Sequence, residues 1–123
     1  KVGCTDFDWY VSDIETNGYS IADGWYSGSE LKEIIEADDV QFIWAVFSAF
    51  SVGTRFAVIE APYVEDNPRY WNTSSLEPQL EGAIFEIACW DSSATILVGL
   101  SSELARNFKF AFTDAVELKP EVN

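Results

Sequence analysis

The sequence has no histidine and no methionine, only two cysteines, and only 7 basic side chains against 21 acidic ones. Without histidine, the Ser-His-Asp and Cys-His nucleophilic arrangements, the imidazole pH switch and the usual zinc sites are all excluded together. The shortage of Lys and Arg argues against direct nucleic-acid binding, because phosphate neutralisation needs clustered cations. It argues equally against a polybasic anchor on an anionic membrane. No apolar run approaches the roughly 18 residues needed to span a bilayer, and no basic segment leads into a signal-type apolar stretch. Internal repeats, low-complexity tracts and linkers are missing too.

What remains is a chain of 123 residues, 48% apolar and 15% aromatic, with a formal net charge of −14. That length and composition predict one domain, residues 1–123, with a core that needs neither disulfide nor metal. The pI near 4.1 makes the whole molecule anionic, so its field attracts basic proteins and repels nucleic acid. The expected partner is therefore a cationic protein. Cys4 and Cys89 fit reduced thiols in the cytoplasm at least as well as a secreted disulfide framework, and a bridge between them is not required.

Residues 6–15 (DFDWYVSDIE) read as a strand, Asn17-Gly18 as a turn, and residues 19–26 as the returning strand. Ser27 and Glu30 have the spacing of a capping box before Leu31, Ile34 and Ile35, with Tyr26 placed to staple onto Leu31, which predicts a helix to about Ala37. Residues 41–52 (QFIWAVFSAFSV) are apolar at both parities, as in a central strand covered on both faces. Residues 55–60 (RFAVIE) read as a further strand and residues 61–82, with three of the four prolines, as a long loop. Residues 83–90 and 94–99 form a hairpin across Asp91-Ser92-Ser93. Ser101-Ser102-Glu103 opens a second helix carrying Leu104 and Phe108 at i, i+4, and residues 114–118 are placed to pair briefly near the end.

This order describes an α+β domain, a mostly antiparallel sheet with two helices packed on one face. The other face is expected to be solvated and partly apolar, and so a candidate interface. Among chemical groups only carboxylate pairs are left for catalysis, drawn from Asp38, Asp39, Glu60, Glu65, Asp66 and Asp91, and no local pattern marks one as an acid-base pair. The oxygen-rich clusters Asp38-Asp39 and Glu65-Asp66-Asn67 lack the alternating spacing of a calcium loop. The sequence thus predicts no catalytic site, metal or cofactor.

The segment YVEDNPRYW is the richer feature. Tyr63, Tyr70 and Trp71 are residue types that dominate interface hot spots, and Glu65 and Asp66 beside them can meet Lys or Arg of a partner. Together with the Asp38-Asp39 turn they make the expected partner-binding surface. The alternative placement, in which the aromatics fold back and plug the core, carries equal weight on sequence alone. A carbohydrate-binding module using exposed Trp25, Tyr26, Tyr70 and Trp71 is the competing function.

The plan of the chain, with its early Trp9-Tyr10 strand, the helix opening WYSGSELKEII and the acid-capped hairpin FEIACWDSSATILVG followed by a Ser-Glu-Leu helix, resembles bacterial immunity proteins. These neutralise polymorphic or contact-dependent toxins. The resemblance implies a cytoplasmic inhibitor that binds one cognate toxin domain tightly, a basic nuclease for example, by covering its active site or a nearby surface.

Overall fold

The computed structural model describes residues 4–37, 39–67, 70 and 77–111 of the chain. A 3-10 turn over Cys4–Asp6 leads into β1 (Phe7–Thr16), followed by β2 (Gly24–Ser27), α1 (Gly28–Ala37), β3 (Phe42–Ser51), β4 (Phe85–Trp90), β5 (Ala94–Val98) and α2 (Ser102–Ala111). The strands form one five-stranded sheet in the order β2-β1-β3-β4-β5, every neighbouring pair antiparallel. The fold is the expected α+β class. β3 occupies the centre, as its apolar residues at both parities demand.

One face of the sheet carries the main core. Trp9 and Val11 of β1, Ala45, Phe47 and Ala49 of β3, and Phe85 of β4 pack with Leu31 of α1, and Leu104 of α2 lies against the same cluster. α1 covers this face, and α2 touches it through Leu104. Phe7, Trp9 and Phe85 meet edge to face with ring centroids 5.1 to 5.7 Å apart, the arrangement that aromatic quadrupoles favour.

The capping box opens α1 as its spacing requires: the Glu30 N–H donates to Ser27 Oγ at 3.1 Å and the Ser27 N–H donates to the Glu30 carboxylate at 2.9 Å. Gly28 sits where the 3-10 turn crosses the helix start, and a Cβ there would lie 2.5 Å from Thr5 Cα and 2.9 Å from the Phe7 carbonyl. α2 opens on Ser101, whose hydroxyl accepts the Leu104 N–H at 3.2 Å.

The other face is not solvated. Val46, Ala88 and Ile96 on this side of β3, β4 and β5 are buried under Val64 and Tyr70. Farther along, Phe56 packs edge-on against Trp25 and Phe50. The described parts of residues 52–82 thus roof this face. Residues 55–60 are correspondingly not a strand. Arg55 instead turns toward Asp8, with Nε 3.4 Å from its carboxylate, and the Phe56 carbonyl accepts the indole N–H of Trp25 at 2.9 Å.

The second expected strand is also shorter than residues 19–26. β1 slips register against β3 between Ser12 and Glu15, and there the Asp13 N–H donates to the Asp23 carboxylate at 3.2 Å. β2 therefore pairs with β1 only from Gly24 onward. The expected pairing of residues 114–118 lies outside the described residues. Cys4 and Cys89 are separate thiols, both half-buried, and burial pushes each thiol above its ordinary pKa. Among the described residues no helix is long and apolar enough to cross a membrane.

Candidate functional site: an acidic end of the sheet

The irregularity in β1 creates the site. At the bulge Asp13 adopts the left-handed conformation with φ 54°, which Asp tolerates better than most residues. This turns its carboxylate toward the roof, where Oδ2 accepts the Val64 N–H at 2.8 Å and the Glu65 N–H at 3.0 Å. Ser12 beside it, fully buried, donates its hydroxyl to the Pro62 carbonyl at 2.8 Å. Two neighbouring residues of one strand therefore fix the backbone of residues 62–65.

The same segment is held from its other side. The Tyr63 carbonyl accepts the side-chain amides of Asn67 and Gln79, each at 2.8 Å, and the Asn67 N–H closes a turn onto the Val64 carbonyl at 3.1 Å. With the backbone fixed, side chains alternate: Val64 points inward and is fully buried, whereas Tyr63 keeps 52% of its surface exposed. Glu65 and Asp66 are exposed as well. An open groove of about 540 Å³ runs beside them, lined by Glu60, Pro62, Tyr63, Asn67 and Gln79.

Electrostatics distinguishes this end of the molecule. Partial desolvation, then repulsion from Glu15, Asp13, Asp66 and Asp91, pushes the Glu65 carboxyl above its ordinary range. Asp91 reaches the cluster because the β4–β5 turn docks here, its Ser92 N–H donating to the Ile43 carbonyl at 3.1 Å. Asp39 is exposed at the same end of the sheet, where Asn17 donates its side-chain amide to the Asp39 carbonyl at 3.0 Å and accepts the Gln41 N–H at 2.9 Å. The ion pairs lie elsewhere: Lys32 with Glu36 along α1, and Arg55 with Asp8 and Glu30. None of Glu15, Asp39, Glu65, Asp66 and Asp91 has a cationic partner among the described residues. Nor do these carboxylates converge as a metal shell there.

Of the residues expected at a binding surface, Tyr63, Glu65 and Asp66 are thus brought together, with Asp39 at the same end. Asp38 and Trp71 lie outside the described residues. Tyr70 is a correction. It is only 6% exposed, and its hydroxyl donates to the Glu86 carboxyl at 2.6 Å, so it plugs the roof instead of facing a partner. Glu86 is fully buried in β4, and it also accepts the Ser48 hydroxyl at 3.2 Å and the Gln79 N–H at 3.1 Å. A buried carboxyl costs far less when its oxygens are occupied in this way.

Of the aromatics in the competing carbohydrate-binding reading, the described ones, Trp25, Tyr26 and Tyr70, do not stand out from the surface, and Trp71 lies outside the described residues. Trp25 and Tyr26 are half-buried. The Trp25 ring meets Tyr10, Phe50 and Phe56 edge-on, and the Tyr26 hydroxyl donates to the Ala22 carbonyl.

Sequence reasoning missed Asp13 and Glu15, which sit in a segment read as plain strand. The available signal was the pair of acids flanking Ile14, since two charges are an odd continuation of a strand whose earlier residues are buried on both sides. No protein-family model matches the chain, and no curated protein and no solved structure matches it significantly.

Proposed function

We propose that this protein is an immunity protein, a non-catalytic inhibitor that binds a cognate cationic toxin domain, such as a basic nuclease, in the cytoplasm. The observation that carries the reading is the acidic end of the sheet, whose carboxylates have no cationic partner among the described residues, beside a rigidly held, outward-facing Tyr63. Like charges gathered without counter-ions raise the free energy of the unbound protein, and a partner bearing Lys or Arg relieves that repulsion as it binds. A nuclease active site is built to receive phosphates, so carboxylates at similar spacing are steered toward it. Tyr63 supplies the apolar contact that slows dissociation. In this reading the protein uses no cofactor, binds neither nucleic acid nor membrane, and acts by occlusion.

The test is to produce the product of the open reading frame adjacent to the gene and to measure its association with this protein at two ionic strengths. The expected result is tight binding with an association rate constant approaching about 10⁸ M⁻¹s⁻¹ at low salt and falling steeply as salt is added. If no basic protein encoded beside the gene binds, or if binding is insensitive to salt, the reading fails.

A further inference from the structure

The sheet has two edges, and they are differently protected. β2 is short, opens on a glycine and runs directly into α1. β5 is a five-residue strand, Ala-Thr-Ile-Leu-Val, in unbroken register with β4 from Glu86↔Val98 to Trp90↔Ala94. Natural edges are normally blunted by Lys, Pro, a bulge or a covering element. β5 has no charge, no proline and no bulge. Among the described residues no backbone group pairs with its outer side.

We propose that β5 is a docking edge, and that its occupant is an extended strand of the cationic partner with a basic residue at each end. Strand addition suits such an edge because its outward N–H and C=O groups supply a ready ladder. Charge chooses between occupants. Along the chain β5 lies between Asp91, on the acidic end of the sheet, and Glu103, in the first turn of α2. A second copy laid antiparallel along β5 brings the Asp91 end of one chain to the Glu103 end of the other, acid against acid. A strand with Lys or Arg at both ends meets a carboxylate at each. The edge is also continuous with the proposed binding surface, because Asp91 is one of the groups acting on Glu65. This inference rests on the cationic-partner reading and deepens it.

The experiment uses the full chain and a defined probe, a short peptide with arginine at each end and alternating valine and threonine between. Controls are the same peptide with glutamate ends and the same peptide N-methylated at alternate backbone positions. Amide exchange is followed residue by residue by NMR. The expected result is slowing by about tenfold or more at alternate amides of residues 94–98 with the arginine peptide, and none with either control. Thr95, exposed on the strand, provides the variants: Thr95→Lys weakens the probe by roughly tenfold and Thr95→Glu does not.

Three results overturn the inference. The arginine peptide leaves exchange of residues 94–98 unchanged, it protects another segment instead, or alternate β5 amides are already protected at the outer side in the free chain, showing that a second copy or residues 112–123 occupy the edge. Each is independent of the neighbouring-gene test. Binding of that product without protection of β5 therefore removes the edge alone, and failure of that product to bind removes the functional reading.

Discussion

Replacement of Asp13 separates three contributions at the point where the roof is fastened to the sheet. Its carboxylate takes two backbone N–H groups, from Val64 and Glu65, at 2.8 and 3.0 Å. Hydrogen bonds to a charged group contribute about 1.5 to 3 kcal/mol each, but Asp13 is half-exposed, so water competes and the pair together contributes about 2 kcal/mol. A residue with an ordinary Cβ held in the left-handed region adds about 1 kcal/mol of strain. Asp13→Ala therefore costs about 3 kcal/mol. Asp13→Gly loses the same bonds without the strain and costs about 2 kcal/mol, and Asp13→Asn keeps one acceptor oxygen and costs about 1 kcal/mol. Urea unfolding monitored by tryptophan fluorescence measures all three, and amide exchange at residues 64 and 65 locates the loss. If Ala costs no more than Asn, or if exchange quickens across the sheet without first quickening at residues 64 and 65, the bulge does not fasten the roof as argued.

Gly28→Ala forces a methyl into the backbone of Thr5 and Phe7, so it should lower stability by about 3 kcal/mol or more, read as a fall in the thermal midpoint. Glu65→Gln removes a carboxylate whose pKa is raised in the fold. Such a group binds its proton more tightly folded than unfolded and opposes folding above its pKa, so the variant should melt higher than the parent at neutral pH and low salt, with a smaller difference near 1 M salt as the repulsion from the neighbouring carboxylates is screened. Asp8 has the opposite sign: the Gly53 N–H, then Arg55, holds its carboxyl below the ordinary range. Its contribution is complete above the unfolded value near 3.9 and is lost as pH falls through the folded one, so Asp8→Asn should destabilise at pH 7 more than at pH 2 in parallel denaturant titrations. Tyr63→Ala should raise the dissociation rate constant of the complex with the proposed cationic partner, costing about 2 kcal/mol, while Glu65→Gln and Asp66→Asn should slow association at low salt. Unchanged rates in all three would place the interface elsewhere.

Much of the fold was legible because local signals and tertiary structure agree. Ser27 and Glu30 have only one helix start to make, and residues 42–51 are too apolar on both parities for any place but the middle of the sheet. Legibility failed where a tertiary partner overrode the local pattern. Residues 55–60 alternate like a strand, yet Asp8 and Trp25 bind Arg55 and the Phe56 carbonyl above the sheet instead. Tyr70 was ambiguous because hot-spot and core aromatics have the same composition. The deciding clue was Glu86 in the middle of the apolar run FEIACW, since a carboxyl buried there needs hydroxyl and amide donors from somewhere. The acidic end was half legible: Glu65 and Asp66 stand out in the loop, but only a bulge explains why Asp13 and Glu15 join them.

The roof also ties distant parts of the chain together. Its fastenings join residues far apart in the chain, Ser12 to Pro62 across 50 positions and Asp13 to Val64 across 51, so the loop-closure entropy they must overcome is large compared with that of the β4–β5 hairpin. The side the roof covers carries Asp8, Ser12, Ser48 and Glu86 among its apolar residues, all buried. Their cost in the finished molecule is met by the hydrogen bonds described above, and were the roof to open they would leave a wet, charged strip where an apolar sheet would recruit another chain.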